Sequence, residues 1–279
     1  MGTSGPSRTL VGLYGAICRC ESCAGLQDWD GVREFAERGA RQTIPVSHFG
    51  RIHAAKVWLV CFNPANDRND PNVGLTVSFL RDVLEDRVQA GDLPDFTCRA
   101  DLPDGAVEEA VRHFSEYDFE FDGHEFFAPW RDALNGLTVG KDVVSFQNGG
   151  ICVVDAIKCP TRLPIGGWFG REAKTVAANC GKSGNAFLLS QIAFHRPSIV
   201  IFAGTQNLVP AAVRGRPDQV LLKAADHPYI SAVRSNSTPS PRLSVELRSA
   251  RGIKRTTPTI LFGALQRIIT AWKPELPRT

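Results

Sequence analysis

Between Lys56 and Phe62 the chain reads Lys-Val-Trp-Leu-Val-Cys-Phe and then stops on Asn63-Pro64-Ala65-Asn66. A short run of β-branched and aromatic residues that ends so abruptly fits a central parallel strand buried on both faces. The residue before a proline is held out of the helical region, so Asn63 is expected in an extended turn beyond the strand. In open α/β sheets the carboxyl ends of the strands are where ligands sit. Taken alone, the pattern is more often that of an ordinary strand-to-loop exit. Its meaning depends on what recurs downstream.

Three more stretches repeat it. Ile151–Pro160 reads as a second strand, with Asp155 interrupting an apolar run either as a functional strand end or as a buried acid in need of a partner. Ser198–Gly204 reads as a third strand, and Gln219–Ala224 as a shorter fourth that runs into Ala225-Asp226-His227-Pro228-Tyr229. Helical spacing of apolar residues marks Trp29–Arg41, Thr76–Gln89, Gly105–Ser115, Phe187–His195 and Thr259–Lys273, with a short helix around Asp132–Leu137. Strands interleaved with helices predict an α/β fold: a three-layer α/β/α sandwich around a central four-stranded, mostly parallel sheet. The expected organisation is a flexible lead-in over residues 1–17 and a single domain over 18–279, with an acidic insertion at 67–125. Gly181-Lys182-Ser183 is not a phosphate loop, because the glycine required five residues earlier is Val176.

Charge and cysteines narrow the function. The net charge is only +3, but Tyr229–Thr279 holds nine Lys/Arg against Glu246 and Glu275, whereas Ala65–Glu125 holds sixteen Asp/Glu against five Arg. The C-terminal part is therefore the phosphate-facing candidate; the acidic insertion is expected to lie away from any nucleic acid, covering a sheet edge or meeting a protein partner. No apolar run reaches bilayer length and the first eight residues lack an apolar signal core, so a cytoplasmic, monomeric protein without membrane contact is expected. In that compartment eight cysteines read as thiols or metal ligands rather than disulfides. Cys18-Arg19-Cys20-Glu21-Ser22-Cys23 puts three thiols in six residues, which one core cannot absorb, so a metal or cluster is the better reading.

In order, Cys20–Cys23, Phe62–Ala65, Val154–Cys159, Cys180, Pro197–Gly204 and His227-Pro228 resemble the motifs of the uracil-DNA glycosylase superfamily, in its iron–sulfur branches. The succession spans nearly all of the chain after residue 17. The resemblance implies a 4Fe-4S cluster on Cys20, Cys23, Cys159 and Cys180, with Cys18 as the alternate to Cys20 and zinc as the alternate to iron. Cys61 and Cys152, inside strands, read as core residues. It further implies a DNA partner, Asn63 orienting the attacking water, His227 donating to the carbonyl oxygen of the leaving base, and Phe62 with Phe126 or Phe127 stacking on that base. Tyr229, Ile230 or Val233 would enter the minor groove, with Arg234, Arg242, Arg251, Lys254 and Arg255 near phosphates.

Asp155 departs from that pattern: it stands where uracil-specific members carry Asn. An ionised carboxylate only accepts hydrogen bonds and would repel a uracil carbonyl, so it suits either a base edge rich in donors, such as a deaminated purine, or a carboxyl kept protonated by burial. A structural role, with Asp155 packed against Lys158 or an arginine, is the simpler alternative. Ala65 and Tyr229 also depart, standing for a glycine and a serine of the family motifs. The expected activity is hydrolysis of the N-glycosidic bond of a deaminated or altered base in DNA repair; the alternative is a non-catalytic iron–sulfur DNA-binding member of the same superfamily.

Overall fold

A computed structural model describes residues 10–22, 45–61, 84–96, 99–117, 127–158, 179–180, 186–203, 219–223, 230–235, 242–247 and 258–272. The chain divides into two units, each assembled from three separate stretches: Met1–His48, Asn63–Tyr117 and Asp155–Phe194 form one, and Phe49–Phe62, Asp118–Val154 and His195–Thr279 the other.

The second unit is built on a six-stranded sheet. Its strands are β1 (Val57–Cys61), β4 (Ile151–Asp155), β5 (Ile199–Ala203), β6 (Gln219–Lys223), β7 (Ile230–Ser235) and β8 (Arg242–Leu247), in the order β4-β1-β5-β8-β7-β6. Every residue of β1, β4 and β5 is buried, which is why these strands are uniformly apolar instead of alternating. β1 pairs in parallel with β5 from Val57↔Ile199 to Val60↔Phe202, and β5 with β8 from Ile199↔Leu243 to Ala203↔Leu247. The amides of Lys56 and Val57 both donate to the carbonyl of Gly150, at 3.0 and 3.1 Å, so β1 and β4 start side by side. These four strands form the parallel core of an α/β fold.

The predicted parallel sheet is therefore present, with one strand exchanged. Gln219–Lys223 is a strand, but it sits at the far edge, antiparallel to β7. The fourth parallel member is β8, which pairs with β7 in antiparallel fashion on its other side. In β8 the residues Leu243, Val245 and Leu247 are buried at alternate positions.

A small hairpin, β2 (Leu137–Val139) and β3 (Asp142–Val144), precedes β4. The predicted turn at Asn148-Gly149-Gly150 follows it. Asn148 Oδ1 accepts from the amides of Ser145 and Gly150, Asn148 Nδ2 donates to the carbonyl of Val143, and Gly149 takes φ +73°, which a side chain would strain. The helices of this unit are α3 (Ala128–Leu134), a few residues earlier than expected because Pro129 opens it, and α5 (Pro258–Ala271). Gln266 on α5 caps the edge of β2 with its amide, accepting from Thr138 N at 2.8 Å and donating to Thr138 O at 3.3 Å.

The first unit carries α1 (Leu10–Cys18), α2 (Asp104–Ser115) and most of α4 (Phe187–His195); residues 84–89 are also helical. Most of α1 falls within the predicted flexible lead-in, yet Tyr14, Ile17 and Cys18 lie fully buried on one face of it, and that burial outweighs the cost of Gly12 and Gly15 in a helix. α2 falls in the acidic insertion, yet Ala106, Val107, Ala110, Val111 and Phe114 are buried at helical spacing, and α1 packs against it. Its buried Glu109 is held by Arg87, at 3.1 Å, and by Arg112 one turn on. Trp29–Arg41 and the first part of the predicted helix Thr76–Gln89 lie outside the described residues. Among the described residues no helix is long and apolar enough to cross a membrane.

Candidate functional site

β1, β5 and β8 end together: Val60 pairs with Phe202, and Ala203 with Leu247. β6 runs in the same direction, because β7 is antiparallel to both β6 and β8. Lys223, which ends β6, pairs with Ser231, and Ile230, which opens β7, pairs with Leu247. The chain thus leaves β6 and enters β7 on the edge where β1 ends. Asn63 follows Cys61 by two residues and His227 falls between Lys223 and Ile230, but both lie outside the described residues. So do Phe62, Phe126, Tyr229, Arg251, Lys254 and Arg255.

Other predicted site residues sit elsewhere. Phe127 is buried at the start of α3, its ring 6.3 Å from that of Phe49 in an edge-to-face contact, as a core residue would be. Arg234 pairs with Leu243 and Ser235 with Arg242, so both arginines occupy the end of the β7–β8 ladder opposite to Ile230. Over the five residues of β7 from Ile230 to Arg234, at about 3.4 Å per residue, that is roughly 14 Å from the candidate edge. The expected minor-groove wedges Ile230 and Val233 are residues of β7. Both belong to a strand whose backbone is committed to neighbours on its two sides, and Ile230 is itself buried.

Asp155 is the last residue of β4 and is 2% exposed; Lys158, three residues on, is 1% exposed. The Lys158 ammonium donates to the backbone carbonyl of Asp155 at 2.5 Å and to that of Ser47 at 3.3 Å. Ser47 O also accepts from Gln191 Nε2 at 3.1 Å, and the amide of Val46 donates to Lys158 O at 2.7 Å. Next to them His48, fully buried, shares one hydrogen bond with Ser47 Oγ through Nδ1 (2.8 Å) and another with Ser115 Oγ through Nε2 (3.0 Å), against the edges of Tyr14 and Phe114. Burial pushes the Asp155 carboxyl up to about 7 against the opposing pull of Lys158. Asp155 does meet Lys158, as the structural alternative expects, but through its backbone. Ser47, His48 and Gln191 escape a sequence reading, since isolated polar residues outside any periodic pattern carry no signal of burial.

The cysteines divide by environment. Cys61 and Cys152 are buried within β1 and β4, as expected of core thiols. Cys18 is wholly buried on α1 and its thiol is pushed up to about 12, which disfavours the thiolate that a metal requires. Cys20, just past the helix end, is only half-buried. Cys180 is buried, and its neighbour Asn179 donates through Nδ2 to the carbonyl of Ser22 at 3.1 Å. Two cysteine-bearing segments far apart in sequence are thereby joined. Cys23 and Cys159 lie outside the described residues, among which no three His, Cys, Asp or Glu side chains form a metal-binding group. No protein-family model matches the chain, and no curated protein matches it.

Proposed function

We propose that this chain is an iron–sulfur DNA N-glycosylase-like protein that hydrolyses the N-glycosidic bond of a deaminated or altered base. The observation that carries the reading is the strand direction in the sheet. β1 and β6 end on one edge, so the segments bearing Asn63 and His227, distant in sequence, both start from that edge. Such an edge is the ligand-binding position of open α/β sheets.

The division of labour follows from the chemistry. Breaking the bond from the sugar C1′ to the base nitrogen leaves an oxocarbenium-like sugar and a base that takes the electron pair. Asn63 orients a water toward C1′; an amide suffices, because so electrophilic a carbon needs little activation of its nucleophile. His227 donates to the carbonyl oxygen on which negative charge accumulates. The water's proton leaves to the departing base or to solvent. Asp155, when protonated, offers one donor and an acceptor, as an asparagine amide does, so that burial relieves the conflict with a uracil-type edge. The cluster, held by Cys20, Cys23, Cys159 and Cys180, would serve as a structural clamp on the segments that carry its ligands.

The test is an oligonucleotide screen with uracil, hypoxanthine and xanthine, comparing wild type with Asn63→Ala. The expected result is base release by wild type, loss of product in the variant, and unchanged DNA affinity. DNA binding without product from wild type would replace this reading with that of a non-catalytic DNA-binding protein.

A further inference from the structure

Ligands that come from distant parts of a chain leave a metal to meet the entropy of gathering them, unless the protein has gathered them already. Here two sets of bonds hold the Cys20 segment from either side. Upstream, Arg19 Nε donates to the carbonyl of Leu102 at 2.7 Å, and its guanidinium pairs with Asp104 at 2.5 Å, tying the end of α1 to the start of α2. Downstream, Asn179 Nδ2 donates to Ser22 O at 3.1 Å, a bond between positions 157 residues apart. Cys20 lies between the two anchored residues, and Cys180 directly follows the donor.

We infer that Arg19 and Asn179 are positioning residues that hold Cys20 and Cys180 ready for the metal centre before any metal binds. This rests on the thiolate-centre reading above. The bonds run from protein to protein and use no sulfur, so none of them requires the metal. Their contributions are unequal. Asp104 is 68% exposed on its side chain, so the ionic half of the Arg19 contact is weak, and the bond to Leu102 O is the larger part. Asn179 acts through its side-chain amide, and removing that donor leaves the shape of the side chain intact.

The experiment uses the full-length chain stripped of metal. Cobalt(II) alone is titrated while the thiolate-to-cobalt charge-transfer absorption is followed. In parallel, iodoacetamide labelling of each cysteine is followed by peptide mass spectrometry. Asn179→Asp, which keeps the volume and loses the donor, is expected to weaken cobalt binding about fivefold, the effect of one ordinary hydrogen bond. It should also speed labelling of Cys20 and Cys180 by a similar factor, while Cys61 and Cys152 stay protected. Arg19→Gln is expected to act in the same direction. Should it also expose Cys61 and Cys152, Asp104→Asn, a change on the surface, replaces it with a smaller shift of the same sign. Cobalt affinity and labelling that match wild type in Asn179→Asp would overturn the inference. A wild-type chain without the thiolate band would instead remove the metal reading on which it rests.

Discussion

Asp155→Asn isolates the most consequential charge in the described part of the molecule. The carboxyl is 2% exposed, and its ionisation is displaced from an ordinary 3.8 to about 7 by burial, with Lys158 opposing. An acid whose folded value is raised binds its proton more tightly when folded. Its stabilising contribution is complete below the unfolded value and is lost as pH rises through the folded one. At about 1.4 kcal/mol per unit, the wild type should lose about 2 kcal/mol between pH 5.5 and 8 on account of this group. Asparagine has the same shape and no charge, and the Lys158 bond goes to the backbone carbonyl, which the substitution keeps. Urea unfolding of both proteins at half-unit intervals from pH 5.5 to 8 should therefore show the wild-type stability falling relative to the variant, and levelling above pH 7. Two parallel profiles would refute the argument, because they would mean that Asp155 ionises as freely in the folded chain as in the unfolded one.

Three further substitutions probe packing and charge. Gly150→Ala would bring a Cβ to 2.7 Å from Val144 Cβ and 2.8 Å from Asn148 Oδ1, and is expected to cost about 1–3 kcal/mol in thermal or urea unfolding, whereas Gly263→Ala on α5 meets nothing within 4 Å and should stabilise by about 0.5–1 kcal/mol. Glu109→Gln removes the carboxylate that Arg87 and Arg112 share; since both arginines are partly exposed, the loss in urea unfolding should be about 1–3 kcal/mol rather than that of a fully buried pair.

How much of this was legible in the residues depends on how each element earns its stability. β1, β4 and β5 are buried on every residue, so they are written as unbroken apolar runs that nothing else explains. α2, α4 and α5 are buried on one side and show the corresponding helical spacing. β8 carries a period-two signal at Leu243, Val245 and Leu247, but it follows a Ser/Pro/Arg-rich stretch whose composition argues for a surface segment, and composition there is the weaker guide. α1 is concealed by its two glycines, because its stability comes from tertiary burial of Tyr14 and Ile17 rather than from propensity. At the candidate site, the order of motifs indicates which residues matter, and Asp155 stands out as a charge in an apolar run. That Asp155 shares its surroundings with Ser47, His48 and Gln191 depends on contacts over long sequence separations, which spacing does not encode.

The position of β8 has a bearing on biosynthesis. It is the last of the described strands in sequence and yet it stands between β5 and β7, joined to each. Until residue 247 has left the ribosome, the described strands fall into two pieces, β4-β1-β5 and β6-β7, without the strand that pairs with both. The nascent chain meanwhile presents β5 as a bare, wholly apolar strand edge, a template for the wrong partner. A chain interrupted shortly before Arg242 should accordingly be recovered as aggregate rather than as a smaller soluble protein.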